Sequence, residues 1–400
     1  MVPQTRCQLI VFLACTVLLS LPSIDAGPTF ECELQKRDDE NVCVFRNVVY
    51  TKNLTGVTWK APASKIQHVA FEESKLQTLP KSLLDAFPDL RSLDVPSANL
   101  SSVIIPANLE RLYASNNMIK QIVVTDTRDR MKMLELILDS NHLHDVSNLT
   151  RLAKLEILSL SGNKELTDDG TLELGQFKGM DALRHLLLSD VDAYYVENEK
   201  DVSLPELELL DLSNNHLLTS SLRVKVFAPL KKLQILRLGH NQLNNVDVLR
   251  LTENNPQLKQ IFLEGNHFKC DEQRLILDHL NKSGVEAPVN NRQPRCMLGF
   301  DQQDDMCCIA TMPVGPPKTE MPKPPKPSNE ESDQMTHGMS HSSSDTATGH
   351  GNERTTSTVT PPATVPKSND GKNGAAMVTL GNNSWFGVLL VAAVAKLILF

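Results

Sequence analysis

Apolar residues recur along the middle of this chain on one fixed skeleton. Leu233–Leu243 reads L-x-x-L-x-L-x-x-N-x-L, and the spacing returns at Met133–Leu143, Leu207–Leu217 and Leu258–Phe268. Leu155–Leu166 repeats it with one extra residue after the asparagine. Looser copies run over Ile66–Leu76, Leu90–Leu100 and Leu109–Ile119, and a degenerate one begins at Leu183. The L-x-L kernel has the two-residue period of a strand with alternate side chains inward. Each strand is followed by a return segment, and Ser82–Phe87 and Lys225–Leu233 read as helical or 3₁₀ turns. About nine such units follow one another at intervals of roughly 19 to 28 residues.

A unit of this size cannot bury its own leucines. It must stack them on those of the next turn. The pattern therefore predicts an α/β solenoid, a leucine-rich-repeat horseshoe with closed ends. Asn117, Asn141, Asn163, Asn215, Asn241 and Asn266 stand where the chain leaves each strand. Turning there strands backbone N–H and C=O groups inside the coil. A carboxamide both donates and accepts, so a ladder of stacked asparagines is expected. Ser74, Ala98 and Val191 replace asparagine in three units, whose turns should be less regular.

The ends set the compartment. Met1–Ala26 combines Arg6, the apolar run Leu9–Leu21 and a small residue before Gly27, the features of a secretory signal peptide. Asn53, Asn99, Asn148 and Asn281 open N-glycosylation sequons. Cysteines fit the same oxidising route. Cys32 and Cys43 bracket a short loop and should staple an N-terminal cap over residues 27–65, ahead of repeats at 66–268. Cys270, Cys296, Cys307 and Cys308 follow the last repeat and mark a C-terminal cap over residues 269–308, with Leu275–Leu280 as an amphipathic helix. A bridge between the adjacent Cys307 and Cys308 is geometrically strained. Two arrangements remain: both pair within the cap, or one pairs with another chain. Residues 309–372 are rich in Pro, Ser and Thr and predict a disordered stalk. The last segment, 373–400, carries small residues at Asn373 and Gly374, a spacer, and an apolar stretch from Trp385 to Phe400. That is the layout of a lipid-attachment signal, with Asn373 or Gly374 as the attachment residue. A short transmembrane anchor is the other reading.

Composition excludes more than it adds. Forty Lys and Arg against 48 Asp and Glu give a formal charge of −8, which argues against a nucleic-acid partner. Phosphate-binding, serine-hydrolase and zinc-protease motifs are absent from the sequence, so no enzyme, metal or other cofactor is expected. His337, His341 and His350 and the acidic pairs Asp168-Asp169 and Asp304-Asp305 read as solvated charge.

The strand surface carries the more specific signal. Residues between the inward leucines point outward, and down the units they read Asp94, Tyr113, Ile137, Ser159, Leu187, Asp211, Arg237, Phe262. The column before the middle leucine reads Arg111, Glu135, Ile157, His185, Leu209, Ile235, Gln260. Ile137, Ile157, Leu187, Leu209, Ile235 and Phe262 should make an apolar stripe facing solvent, the mark of an interaction site. Tyr113, His185, Asp211 and Arg237 complete the candidate ligand face, since Tyr and Arg are the types that anchor interfaces.

With its signal peptide, its irregular repeats such as Leu207–Leu217, and its cysteine set Cys270, Cys296, Cys307 and Cys308, the chain over roughly residues 1–308 resembles the insect leucine-rich-repeat immune proteins, best known from mosquitoes. The resemblance implies innate immunity, a disulfide-linked pair, and a complement-like thioester protein or another leucine-rich-repeat chain as partner. Members of that family continue into a coiled coil. No heptads follow Cys308 here, so the chain looks like a membrane-attached branch. The expectation is a non-enzymatic receptor or co-receptor on the outer face of the plasma membrane. Cell adhesion is the alternative, and display of an inhibitor the third.

Overall fold

The structure is a computed structural model that describes residues 27–63, 65–167, 169–289 and 296–310. The segments read as signal peptide and anchor, Asn373 and Gly374 included, lie outside the described residues, as does all but the start of the stalk.

Eleven strands form one long sheet in strictly sequential order. They are β1 (Glu33–Arg37), β2 (Glu40–Arg46), β3 (His68–Glu72), β4 (Ser92–Asp94), β5 (Arg111–Tyr113), β6 (Glu135–Ile137), β7 (Ile157–Ser159), β8 (His185–Leu187), β9 (Leu209–Asp211), β10 (Ile235–Arg237) and β11 (Gln260–Phe262). β1 and β2 make an antiparallel hairpin; every later pairing is parallel. Sequential parallel order means each turn of chain returns to lay its strand beside the last, which is the leucine-rich-repeat solenoid. Middle-strand residues Val69, Leu93, Leu112, Leu136, Leu158, Leu186, Leu210, Leu236 and Ile261 stack inward, and all are buried. Return segments form short elements: α1 (Lys81–Ala86), α2 (Val248–Asn254), and 3₁₀ turns at Ser147–Arg151, Leu174–Phe177 and Val224–Phe227. Between them lie parallel pairs such as Ser102–Ile105 with Gln121–Val124.

The ladder starts earlier than the leucine skeleton. β2 lies in the segment read as cap, yet pairs in parallel register with β3, Cys43 opposite Val69 and Phe45 opposite Phe71. Cysteine and phenylalanine fill the inward positions that leucine fills later, so the skeleton is hidden there. Around them the N-terminal end is closed by aromatic rings. Phe45 stacks on Phe71 at 5.2 Å between centroids, and Trp59 stands edge-on to both. The Trp59 indole N–H donates to Ser82 Oγ at 3.0 Å. The disulfide Cys32–Cys43 ties this end.

The asparagines act on the backbone rather than on each other. Asn117, Asn141, Asn163, Asn215, Asn241 and Asn266 each accept from a backbone N–H of the preceding turn through Oδ1. Each also donates from Nδ2 to one carbonyl of the preceding turn and one of its own turn at 2.8–3.1 Å. Where Ser74 stands instead, its hydroxyl accepts from Val48 N–H and donates to the Glu72 carbonyl. The residue before each of these positions is left-handed: Glu73, Ser97, Asn116, Ser140, Asp190, Asn214 and His240 have φ of 48° to 57°, and Gly162 and Gly265 fill the place at 72° and 70°. The turn before Ser74, Ala98 and Val191 thus keeps the common backbone, against the expectation of less regular turns there. This conformation turns the chain sharply off the strand, and most side chains resist it.

At the far end α3 (Cys270–Lys282) closes the core with Ile276 and Leu280. It extends beyond the expected Leu275–Leu280 at both ends. A hairpin, Phe300–Gln303 with Met306–Ile309, is tied to it by Cys270–Cys308, and Cys296–Cys307 holds the preceding loop. The neighbouring cysteines thus take different partners inside one cap. This corrects the alternative of an interchain bond at Cys307 or Cys308, because all six cysteines of the described residues are consumed within the chain. The reason is geometric. In the hairpin strand, side chains 307 and 308 point to opposite faces, one toward α3 and one toward the Cys296 loop.

Candidate functional site

Parallel register converts the outward residues into two aligned columns. One runs Arg111, Glu135, Ile157, His185, Leu209, Ile235, Gln260; the other runs Tyr113, Ile137, Ser159, Leu187, Asp211, Arg237, Phe262. All ten residues of the candidate ligand face, from Tyr113 to Phe262, therefore share one surface of the sheet. They are not equally open. Ile137, Leu209 and Ile235 are only 4%, 4% and 5% exposed, and Asp211 is buried as well. The expected solvent-facing stripe is thus narrower than the pattern implied. Strands stand about 4.8 Å apart, so neighbours in a column cover one another, as Tyr113 lies beside Ile137 and His185 beside Leu209. Ile157, Leu187 and Phe262 keep partial exposure.

Toward the C-terminal turns, one ion pair crosses the apolar ground. Arg237 lies 3.3 Å from Asp211 and sits over the Phe262 ring at 5.1 Å. Asp211 also accepts from the Ser213 hydroxyl and backbone N–H, at 2.6 and 2.9 Å. Asp139 accepts from Ser159 and from Ser161 N–H, and burial, opposed by those bonds, raises its pKa above the usual range. His185 stands between Ile157 and Leu209, and burial lowers its pKa.

The N-terminal turns are ionic. The Arg111 guanidinium donates twice to Glu40, at 2.8 and 3.0 Å, and contacts His68 at 3.3 Å. Burial holds His68 below its ordinary pKa, with Glu40 opposing. Tyr113 donates its hydroxyl to Glu135 at 2.9 Å, and burial pushes the pKa of both groups upward. Arg37 bonds Glu72, which also receives Arg46 at 2.8 Å. Beside them Asp94 is raised to about 7, chiefly by burial, with Arg37 pulling it down and Glu72 pushing it up.

These side chains flank a pocket of about 370 Å³ on the strand-entry edge of β5 to β7, lined by Glu40, His68, Arg91, Glu110, Arg111, Leu134, Glu135, Glu156 and Ile157, with Gln67. Of the candidate residues, only Ile157 reaches it. Sequence reasoning missed Glu40, which arrives from the cap hairpin, and Leu134 and Glu156, which stand one residue ahead of the Glu135–Ile157 column. Among the described residues no group of three His, Cys, Asp or Glu is placed to hold a metal. No helix among them is long and apolar enough to cross a membrane.

All four sequon asparagines are exposed and lie off the long sheet: Asn53 in a cap turn, Asn99 in the turn before Ser102–Ile105, Asn148 in a 3₁₀ turn and Asn281 in α3.

No family model matches the chain. Mouse nephrocan is 27% identical over 169 residues, covering 42% of this chain and 26% of nephrocan. Human podocan-like protein 1 is 25% identical over 260 residues, 55% of this chain and 50% of that protein. The chain thus spans between about a quarter and half the length of these curated relatives. Among solved structures, the leucine-rich repeat domain of APL1B is 22% identical with a TM-score of 0.43, covering 62% of this chain and 65% of that one.

Proposed function

We propose that this chain is a non-enzymatic recognition protein that binds a protein ligand on the outward face of its long sheet. One observation carries the reading. The two columns from Arg111 to Gln260 and from Tyr113 to Phe262 gather partly open apolar side chains and fixed charges on a single surface. The sequons at Asn53, Asn99, Asn148 and Asn281 lie elsewhere, so glycans there leave the face clear. Apolar anchors ringed by oriented polar groups are what protein interfaces use.

The role we favour is an innate-immune receptor or co-receptor held outside the cell through the C-terminus, by lipid attachment near Asn373 or Gly374. Its partner would be another leucine-rich-repeat chain or a complement-like thioester protein, bound without an interchain disulfide. Cell adhesion through the same face is the alternative. The immune reading rests on the cysteine set Cys270, Cys296, Cys307 and Cys308, and the adhesion reading on the stalk and anchor signals of the sequence.

The test displays the full chain on cells and titrates purified candidate proteins, including a second copy of the repeat region. Leu187→Glu should weaken a binder at least about tenfold, or ~1.4 kcal/mol. Leu275→Glu, on the open side of α3, should leave it unchanged. Equal binding by wild type and Leu187→Glu, with loss in Leu275→Glu, would move the site off the sheet.

A further inference from the structure

The pocket beside β5 to β7 has a charge that its own residues do not balance. It is lined by four carboxylates, Glu40, Glu110, Glu135 and Glu156, against two guanidiniums, Arg91 and Arg111, which leaves an excess of two negative charges with His68 neutral. The guanidiniums are already engaged. Arg111 is held by Glu40 at 2.8 Å, and Arg91 lies 3.9 Å from Glu110. The remainder is Glu135 and Glu156. Tyr113 donates to one oxygen of Glu135, which lines the pocket and also feels the Arg111 guanidinium. Glu156 is exposed and has no ionic partner among the described residues.

Their placement is specific. Glu135 pairs in register with Ile157, so Glu156 sits on the adjacent strand one residue earlier. Both carboxylates line the same pocket, from adjacent strands about 4.8 Å apart. Between them the wall is apolar. Leu134 is 38% exposed, and Ile157 is partly open. Carboxylates above an aliphatic wall suit a long basic side chain, whose methylenes lie on the wall while its head meets the acids. A planar guanidinium can engage two carboxylates through separate N–H groups. A bare metal ion is a poor fit, since no three acidic or histidine ligands converge among the described residues.

We propose that this pocket receives an arginine side chain of the protein ligand, between Glu135 and Glu156, with apolar residues of that ligand continuing over Ile157 and Leu187. The inference rests on the reading of the sheet as a protein-binding face and names the chemistry of the partner. It places the ligand's basic residue toward the N-terminal turns and its apolar residues toward the C-terminal ones.

The full chain is titrated with the dipeptide acetyl-Arg-Leu-amide, followed by saturation-transfer NMR. Acetyl-citrulline-Leu-amide, which has the same shape without the charge, serves as the control. Arginine should bind with a Kd on the order of millimolar and citrulline about tenfold more weakly. Glu135→Gln should remove most of the difference. Glu156→Gln, at an exposed position with no partner to lose, should reduce it several-fold without touching folding. Glu253→Gln on α2 should change nothing. Equal binding of the two dipeptides, retention in both pocket variants, or no binding up to ~10 mM overturns the proposal. If that happens while a protein ligand still loses affinity with Leu187→Glu, the recognition face stands and only its arginine pocket falls.

Discussion

The two halves of the long sheet share a scaffold and differ in surface. From β2 to β6 the outward residues form an ionic mesh in which Glu40 reaches across β3 and β4 to Arg111 and Tyr113 bonds Glu135. From β8 to β11 they are Leu187, Leu209, Ile235 and Phe262, crossed by the single pair Asp211–Arg237. Beneath both halves the same leucines stack and the same asparagine bonds recur. Asn141 takes Ile119 N–H and gives to the Ala114 and Leu138 carbonyls; Asn241 takes Leu217 N–H and gives to the Leu212 and Leu238 carbonyls. A solenoid separates what holds it together from what it displays. Surface chemistry can then vary turn by turn without changing the coil.

The largest expected effect tests the shared part. Asn141→Ala and Asn241→Ala each strand a buried N–H and at least one buried carbonyl, at about 1–3 kcal/mol per group. Both should lower unfolding stability by roughly 3 kcal/mol, measured by chemical denaturation. A gap above ~1 kcal/mol between them would mean that the halves do not share one scaffold.

Next comes the ion pair of the apolar half. Asp211→Ala removes a buried carboxylate and leaves Arg237 half-buried over Phe262, with its Nε already lacking a partner. The cost should be about 2 kcal/mol, below that of a fully buried pair because Arg237 retains some water. Asp211→Leu with Arg237→Met should recover most of it. In the ionic half Arg111→Ala should cost less, near 1 kcal/mol, because Glu40 is 43% exposed and can turn to solvent.

Much of this was legible in the order of residues. The strand phase of every unit from Ile66 to Phe268 follows from L-x-L, and even the degenerate unit at Leu183 keeps register, His185 facing Ile157 and Leu209. Burial on the outward face was not legible. A column tells which side a residue is on, while its cover depends on the neighbours one strand away, so the pattern alone makes Ile137, Leu209 and Ile235 look open. Long-range partners were also invisible. Glu40 and Arg111 are 71 residues apart, and nothing local in either segment signals the other. A second set of backbone-capping asparagines, Asn198 and Asn255, lies on the return segments, where no skeleton flags it; Asn255 donates to the Phe227 and Leu230 carbonyls at 2.8 and 3.0 Å.

A smaller effect separates the halves by pH. Asp94 has a folded pKa of about 7 against 3.8 unfolded, mainly through burial. A carboxyl raised in this way costs no stability below pH ~3, where both states are protonated, and its cost grows as pH rises through 3.8 until it levels off above ~7. Asp94→Asn should therefore stabilise the protein by about 1 kcal/mol at pH ~8 and by nothing at pH ~3, once partial access to water is discounted. Phe262→Leu, at the far end of the face beside Arg237, should show no such crossing. An Asp94→Asn effect that is flat in pH would mean the carboxyl is solvated.

The smallest effect lies at Leu187, and its sign is informative. Leu187 is partly exposed, so replacing it removes little buried area, and its register neighbours are Ser159 and Asp211. Leu187→Glu sets a negative charge beside Asp211, whereas Leu187→Lys sets an attractive one, with Arg237 one strand further on. At an effective dielectric of water-exposed protein, such neighbours are worth a few tenths of a kcal/mol. Leu187→Glu should be less stable than Leu187→Lys by about 0.5 kcal/mol in low salt, with the difference fading above ~0.5 M salt as the charges are screened. Both should abolish binding through this face alike, because each destroys an apolar contact. Stability that follows charge, with binding that follows apolarity, is the signature of a residue displayed by the scaffold and not part of it. A Leu187→Lys protein several kcal/mol less stable than wild type would instead place this leucine in the core, and the apolar half would then have no free surface to offer.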